Sequence, residues 1–525
     1  MRNKLANGGE RPDESKGWRQ HAGEALIAVL VAFAMLWAIP KLVPSSDAMT
    51  HLTAKAQAGL VGGFYPSTHR NDVTVVVIDD LVLSRLEQGW PVPYATHGRW
   101  LRNLAKYQPR AIFLDVMFVQ ARKDETLPAL VSALCGLRDL GIPVFLAALP
   151  DPDTGVLAVR PDLKSPEGEK PCFSLVGVTY EKHKIDRLVW TYPLWDAAGQ
   201  ESGAFAGGPS LARSAALAMA QDAAQINVVQ RDEPMALTWG VNNLDQQRFA
   251  GWCRQAWGGL AEIVPPFVRA WRQGDDVYKP VCPYQRSLTM SSLRSSSEVE
   301  ERELQDLLGG RFVMIGTNLG GGNDMVTSPV HGDIPGVFMH AMALDNLLTY
   351  NGRYKRALEW ELPPAGPLFL LGVVIVLAAH ALRIATGGFA SRVRTRLSKK
   401  WLRAWDALAR RIQPPTESSG VSPAVRRLQR MREAHWPRWR LVAANLLNLL
   451  VYLVLKALSI ALTSAVIMLL VVAVQKVFDV GTLPIVDLVV MALVAEWLGW
   501  TALVSRFMFH RKRKPQRVEP LSVSS

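Results

Sequence analysis

Apolar residues in this 525-residue chain are gathered into four long runs, and about 20 such residues suffice to cross a bilayer. The runs occupy residues 23–43, 363–383, 441–477 and 483–507. Averages hide this segregation, because a mean hydropathy of +0.09 with 20% charged residues reads as nearly soluble. Four crossings leave one long polar stretch, residues 44–362, which is long enough to bury a sizeable core.

Lysine and arginine near the membrane ends set the orientation. Residues 1–22 hold five against three acids, residues 383–440 fifteen against three, and the tail from Arg506 six against Glu519. These segments carry +19 against a chain total of +13, so the remainder is at −6. Four crossings place all three basic segments on one side and the acidic region on the other. The expectation is a multi-pass inner-membrane protein of bacterial type. Both termini are then cytoplasmic, 508–525 is a disordered basic tail, and 44–362 is periplasmic. Pro40, Lys41 and Pro44 follow the first run where a signal peptide would carry small residues, so it reads as an uncleaved anchor. A sequence pI near 9.6 suits nucleic-acid binding, but these cations sit beside membrane ends and no nucleic-acid partner is expected.

Within 44–362, Ser46 to Leu60 has helical apolar spacing and extends the first membrane helix outward until Gly62-Gly63-Phe64-Tyr65-Pro66. Val73 to Ile78 is a β-branched run of the kind found in buried parallel strands, ending in Asp79-Asp80. An amphipathic helix over 96–106, a strand over 111–114 ending in Asp115, a helix over 127–140 and a strand over 144–148 follow. A strand over 311–315 and a helix over 336–348 close the pattern. The alternation predicts an α/β fold with a doubly wound, mainly parallel sheet, its core in 71–150 and 300–352. Residues 151–299 read as an insertion with a hairpin over 185–192, a helix over 209–222, and Trp239, Trp252, Trp257 and Trp271. The four cysteines, Cys135, Cys172, Cys253 and Cys282, allow three pairings or none. No C-x-x-C occurs, so neither a zinc nor a redox motif is indicated.

The strand with Val76-Val77-Ile78-Asp79-Asp80, then Trp90-Pro91, then Phe113-Leu114-Asp115-Val116-Met117-Phe118 resembles the start of the CHASE type-two extracellular sensory domain. Gly310-Arg311-Phe312-Val313-Met314-Ile315-Gly316, Asp324, Thr327, Pro329, Ile334-Pro335-Gly336-Val337, His340, Ala341 and Asp345-Asn346-Leu347 resemble its close. The resemblance implies an outer sensor joined through membrane helices to an intracellular output. Members usually carry a cyclase, a kinase or a cyclic-dinucleotide enzyme after the last crossing. Here the basic stretch after the fourth run and the polar segment 384–440 are too short for one, so the output is expected in trans.

Asp79, Asp80, Asp115 and Asp324 are the ligand-binding candidates, because open α/β sheets gather ligands beyond the carboxyl ends of their strands. Carboxylates there could hold a divalent cation or act as acid and base. Equally, they cap helices and fix loops. Gly316 to Gly322 lacks the Gly-Lys-Ser/Thr of a phosphate loop and reads as a flexible edge loop. His331 and His340 have no partner at metal spacing, and His340 reads as a core residue. Neither metal nor cofactor is expected.

On the inner side, Arg392, Arg394, Arg396, Lys399 and Lys400 belong to a basic amphipathic helix suited to an anionic membrane surface or a partner helix. Lys456 and Glu496 are opposite charges deep in the third and fourth runs, a candidate intramembrane pair. The functional expectation is a non-enzymatic membrane sensor that binds a signal or protein partner and acts on a separate membrane or cytoplasmic output protein, with homo-oligomers open. The alternatives are a cation-dependent periplasmic hydrolase, or a structural subunit using the Trp-rich insertion as its contact face.

Overall fold

The computed structural model describes most of residues 55–357 and scattered positions elsewhere. Gaps fall at 152–154, 184–186, 197–211, 230–233, 242–252, 255–278, 294–296 and 322–323, with a few single positions. The chain divides into two compact units, one of Met1–Pro44, Glu361–Val471 and Ile485–Ser525, the other of Ser45–Trp360 and Val472–Pro484. In the first unit, described positions from Leu446 to Leu469 are helical, and Leu446, Leu450 and Leu458 are each more than half exposed. Among the described residues no helix is long and apolar enough to cross a membrane. Most of each expected crossing lies outside them, as do Lys456, Glu496, Arg392, Arg394, Arg396, Lys399, Lys400, Trp252, Trp257 and Trp271.

The second unit is the α/β domain. The Val-Thr-Val-Val-Val-Ile run forms β1 (Val73–Asp79), and Asp79 turns the chain directly into α1 (Asp80–Leu86). Then come α2 (Tyr94–Ala105), β2 (Ala111–Leu114), α3 (Leu127–Asp139), β3 (Val144–Pro150), β4 (Leu157–Ala158) and β5 (Ser174–Gly177). The insertion adds β6 (Thr191–Tyr192), β7 (Trp195–Asp196), β8 (Ala212–Arg213), α4 (Ala215–Ala218) and β9 (Met235–Ala236). The chain returns to the sheet through β10 (Arg286–Thr289), a short turn of helix Met290–Leu293, α5 (Glu298–Leu308) and β11 (Phe312–Asn318). The hairpin β12 (Met325–Ser328) and β13 (Gly332–Pro335) precedes α6 (Val337–Thr349).

The main sheet runs β10-β1-β11-β2-β3-β4, with β5 also on β3. All its pairings are parallel except β3 with β4. Both faces are covered, which is why β1 and β11 are apolar at nearly every position. Side chains of β1 alternate between two cores: Val76 and Ile78 pack with α1, α2, α3 and α5, while Val73, Val75 and Val77 pack with α4, α6 and the insertion. Alternation with period two thus feeds both layers from one strand.

Two sequence expectations need correction. The start of the hairpin expected over 185–192 lies outside the described residues, and Thr191–Tyr192 pairs antiparallel with Met235–Ala236. The helix expected over 209–222 is α only at Ala215–Ala218, capped by Ser214, and continues as a π-type turn at Met219–Ala223. Gly316 is no loop residue, because β11 runs on through Asn318. The cysteines resolve into Cys135–Cys172 and Cys253–Cys282.

Candidate functional site

Strand order places β1, β11 and β2 side by side, so their carboxyl ends bring Asp79, Asp80, Thr317 and Asp115 to one edge of the sheet. Each aspartate there has a different task. Asp79 is the N-cap of α1, its Oδ1 accepting from the Val82 N–H at 2.9 Å. Asp80 reaches across to the loop after β11, where its Oδ2 accepts from the Gly320 N–H at 2.9 Å. These two carboxylates fix backbone.

Asp115 and Asp324 are different. Asp115 has a side chain only 10% exposed, with Oδ2 3.9 Å from His340 Nε2. Burial, and then the neighbouring charge of Asp324, push its carboxyl well above the usual carboxylate range. Asp324 is raised too, chiefly by burial, although a Thr317 hydroxyl bond opposes the shift. His340 comes from α6 and lies between Phe113 and Tyr192, whose hydroxyl meets its Nδ1 at 2.8 Å. Burial pulls its imidazole down to about 3, so the ring is neutral at physiological pH. Burial thus disfavours the charged form of all three groups. Among the described residues no group of three or more His, Cys, Asp or Glu could hold a metal ion.

A second polar pair lies on the same layer. Tyr65 follows the helical residues that end at Gly63, and its hydroxyl donates to Asp345 Oδ1 at 2.6 Å. Asp345 was visible beforehand only as part of a family pattern. Tyr65 gave no signal of its own, because its partner is far away in sequence.

The extended segment Pro234–Val241 gathers the chain ends that lead toward the apolar runs. Its Val241 N–H donates to the Gly62 carbonyl at 3.1 Å, and a Cβ at Gly62 would overlap the Trp239 carbonyl. On the outgoing side, Ala236 N–H donates to Lys355 at 2.8 Å, and Ala357 N–H to Pro234 at 3.1 Å. The connection between the third and fourth runs joins as well: Gly481 N–H donates to the Arg356 carbonyl at 3.0 Å. A Cβ at Gly481 would overlap Ala236 Cβ, so only glycine fits. The buried Gln475 side chain donates to the Gly481 carbonyl. Asn346 of α6 ties the segment to the core, bonding Thr238 through both its N–H and its C=O.

A family model for the CHASE2 domain matches residues 26–380, including most of the first and of the second apolar run. No curated protein and no solved structure matches the chain.

Proposed function

The chain belongs to the CHASE2 domain family, a family of extracellular sensory domains, and from that premise we propose that it is a membrane-anchored sensor. Its α/β domain stands outside the inner membrane and binds a signal. Membrane helices carry the change to an output protein in trans. The observation that carries this reading is the convergence on Pro234–Val241 of Gly62, Lys355–Ala357 and Gly481. Gly62 lies 19 residues after the first apolar run, Lys355–Ala357 lie just before the second, and Gly481 lies between the third and fourth. One short segment therefore touches chain stretches that lead toward all four apolar runs, as a transmitting element requires. The exposed leucines between Leu446 and Leu469 suit a lipid-facing helix. The sheet-edge carboxylates favour sensor over hydrolase, since Asp79 and Asp80 hold backbone and Asp115 is buried beside a neutral histidine.

The test uses the full chain in lipid nanodiscs with Ser418→Cys, whose thiol reports on the inner segment. The native cysteines are held in two disulfides. Gly481→Ala should change the rate at which that thiol reacts with a maleimide while the domain stays folded. An unchanged rate in a folded variant would refute transmission through this junction.

A further inference from the structure

We propose that the cavity between α1, α2 and the Met290–Leu293 turn binds a small organic carboxylate with an apolar body, and that this is the signal. The second clause rests on the sensor reading above; the first does not.

The cavity holds about 280 Å³. Drug-sized ligands occupy roughly 300–1,000 Å³, so the occupant is small. Position favours a ligand. The helix α1 leaves the carboxyl end of β1 and the Met290–Leu293 turn leaves that of β10, so part of the lining comes from elements that follow two adjacent parallel strands.

Chemistry narrows the class. Val82, Trp100 and Met290 give an apolar floor continuous with the core, and Arg85, Arg99 and Ser291 are polar members of the lining. Among the described residues no carboxylate lines the cavity, so none of them offsets the two guanidinium groups within it. Arg85 is exposed and has no hydrogen-bond or ion-pair partner among the described residues. Arg99 is oriented but not neutralised: Nη2 donates to Thr96 Oγ1 at 3.0 Å, and that hydroxyl donates to Gln88 Oε1 at 3.1 Å. Two forked cations suit a carboxylate, which takes paired N–H bonds. The Trp100 floor suits a ring or aliphatic body better than it suits inorganic phosphate. A response also has somewhere to go. Asp80, the first residue of α1, holds the Gly320 N–H, so movement of α1 pulls on the loop after β11.

The experiment titrates benzoate into the full chain in lipid nanodiscs by calorimetry, with empty nanodiscs as the blank. Benzamide tests the charge, and inorganic phosphate tests the need for an apolar body. Saturable benzoate binding is expected, at least about tenfold weaker for benzamide and for Arg85→Gln or Arg99→Gln, as loss of a charge-assisted contact implies. Arg302→Gln, a change to an exposed arginine on α5, should leave it intact. No saturable binding, equal binding of benzamide, equal competition by phosphate, or indifference to both arginine changes would overturn the site. The Ser418→Cys thiol separates the two claims. Benzoate binding that Arg85→Gln abolishes, with thiol reactivity unmoved, keeps the site and defeats its role as signal. Reactivity that responds to Gly481→Ala but never to benzoate, in a chain that binds no benzoate, keeps the sensor and defeats the site.

Discussion

The Tyr65 hydroxyl donates to Asp345 Oδ1 at 2.6 Å across 280 residues of sequence, fastening the segment that leaves the first apolar run onto α6. Burial pushes the Asp345 carboxyl up to about 6, against the Tyr65 and Thr349 hydroxyl bonds that pull it down. A carboxyl raised on folding contributes stability that is complete below its unfolded value, near 3.9, and lost as pH rises through the folded one. Thermal unfolding in detergent should therefore show this contribution falling between about pH 4 and pH 6. Asp345→Asn should flatten that slope. Tyr65→Phe should cost about 1–3 kcal/mol at pH 7. It should cost less at pH 5, because the carboxyl then titrates higher and is already protonated. Equal losses at both pH values would show that the Tyr65 bond is not to a carboxylate.

Gly481 and Ala236 compete for one space. Gly481→Ala should destabilise the junction by overlap, and Ala236→Gly should cost about 1 kcal/mol or less through backbone freedom alone. The double variant should recover much of the first loss, since contacting sites are not additive. Simple addition of the two losses would place these residues apart.

Asp115 is raised by burial and by the Asp324 charge. Its stabilising contribution is therefore fully present below the unfolded carboxylate value and lost as pH rises. Asp115→Asn should be near neutral at pH 5 and relatively stabilising at pH 8. A variant less stable than wild type at pH 8 would mean that the ionised carboxylate is what the fold requires.

Cys135–Cys172 closes 37 residues and Cys253–Cys282 closes 29, so each bond should contribute about 3–4 kcal/mol in the chain-entropy account. Replacing both members of either pair by alanine should lower the unfolding midpoint. Protein made in the membrane fraction should show no thiol reactive to maleimide until it is denatured and reduced.

Much of the sheet was legible in advance. The β-branched run of β1 and the apolar cores of β2, β3 and β11 are buried on both faces, and burial on both faces writes a continuous apolar word. The edge strand β10, Arg-Ser-Leu-Thr, has no such run and was missed. Helix α5 was missed although Ser297 accepts from the Glu300 N–H, a readable cap with an acidic first turn. The candidate site was legible only in part. Asp79, Asp80 and Asp115 announced themselves as strand-end carboxylates, but Tyr192 and Tyr65 reach His340 and Asp345 through tertiary contacts alone. The cavity with Arg85 and Arg99 likewise needs two helices and a turn from distant sequence.

A sensor of this design needs its domain on one side of the membrane and its output face on the other. Fusions of a reporter that works only in the periplasm measure this directly. Activity is expected after Gly203, within the domain, and silence after Glu417 and after Ser525. Silence at Gly203, or activity at Glu417 or Ser525, would contradict a periplasmic domain carried by four crossings.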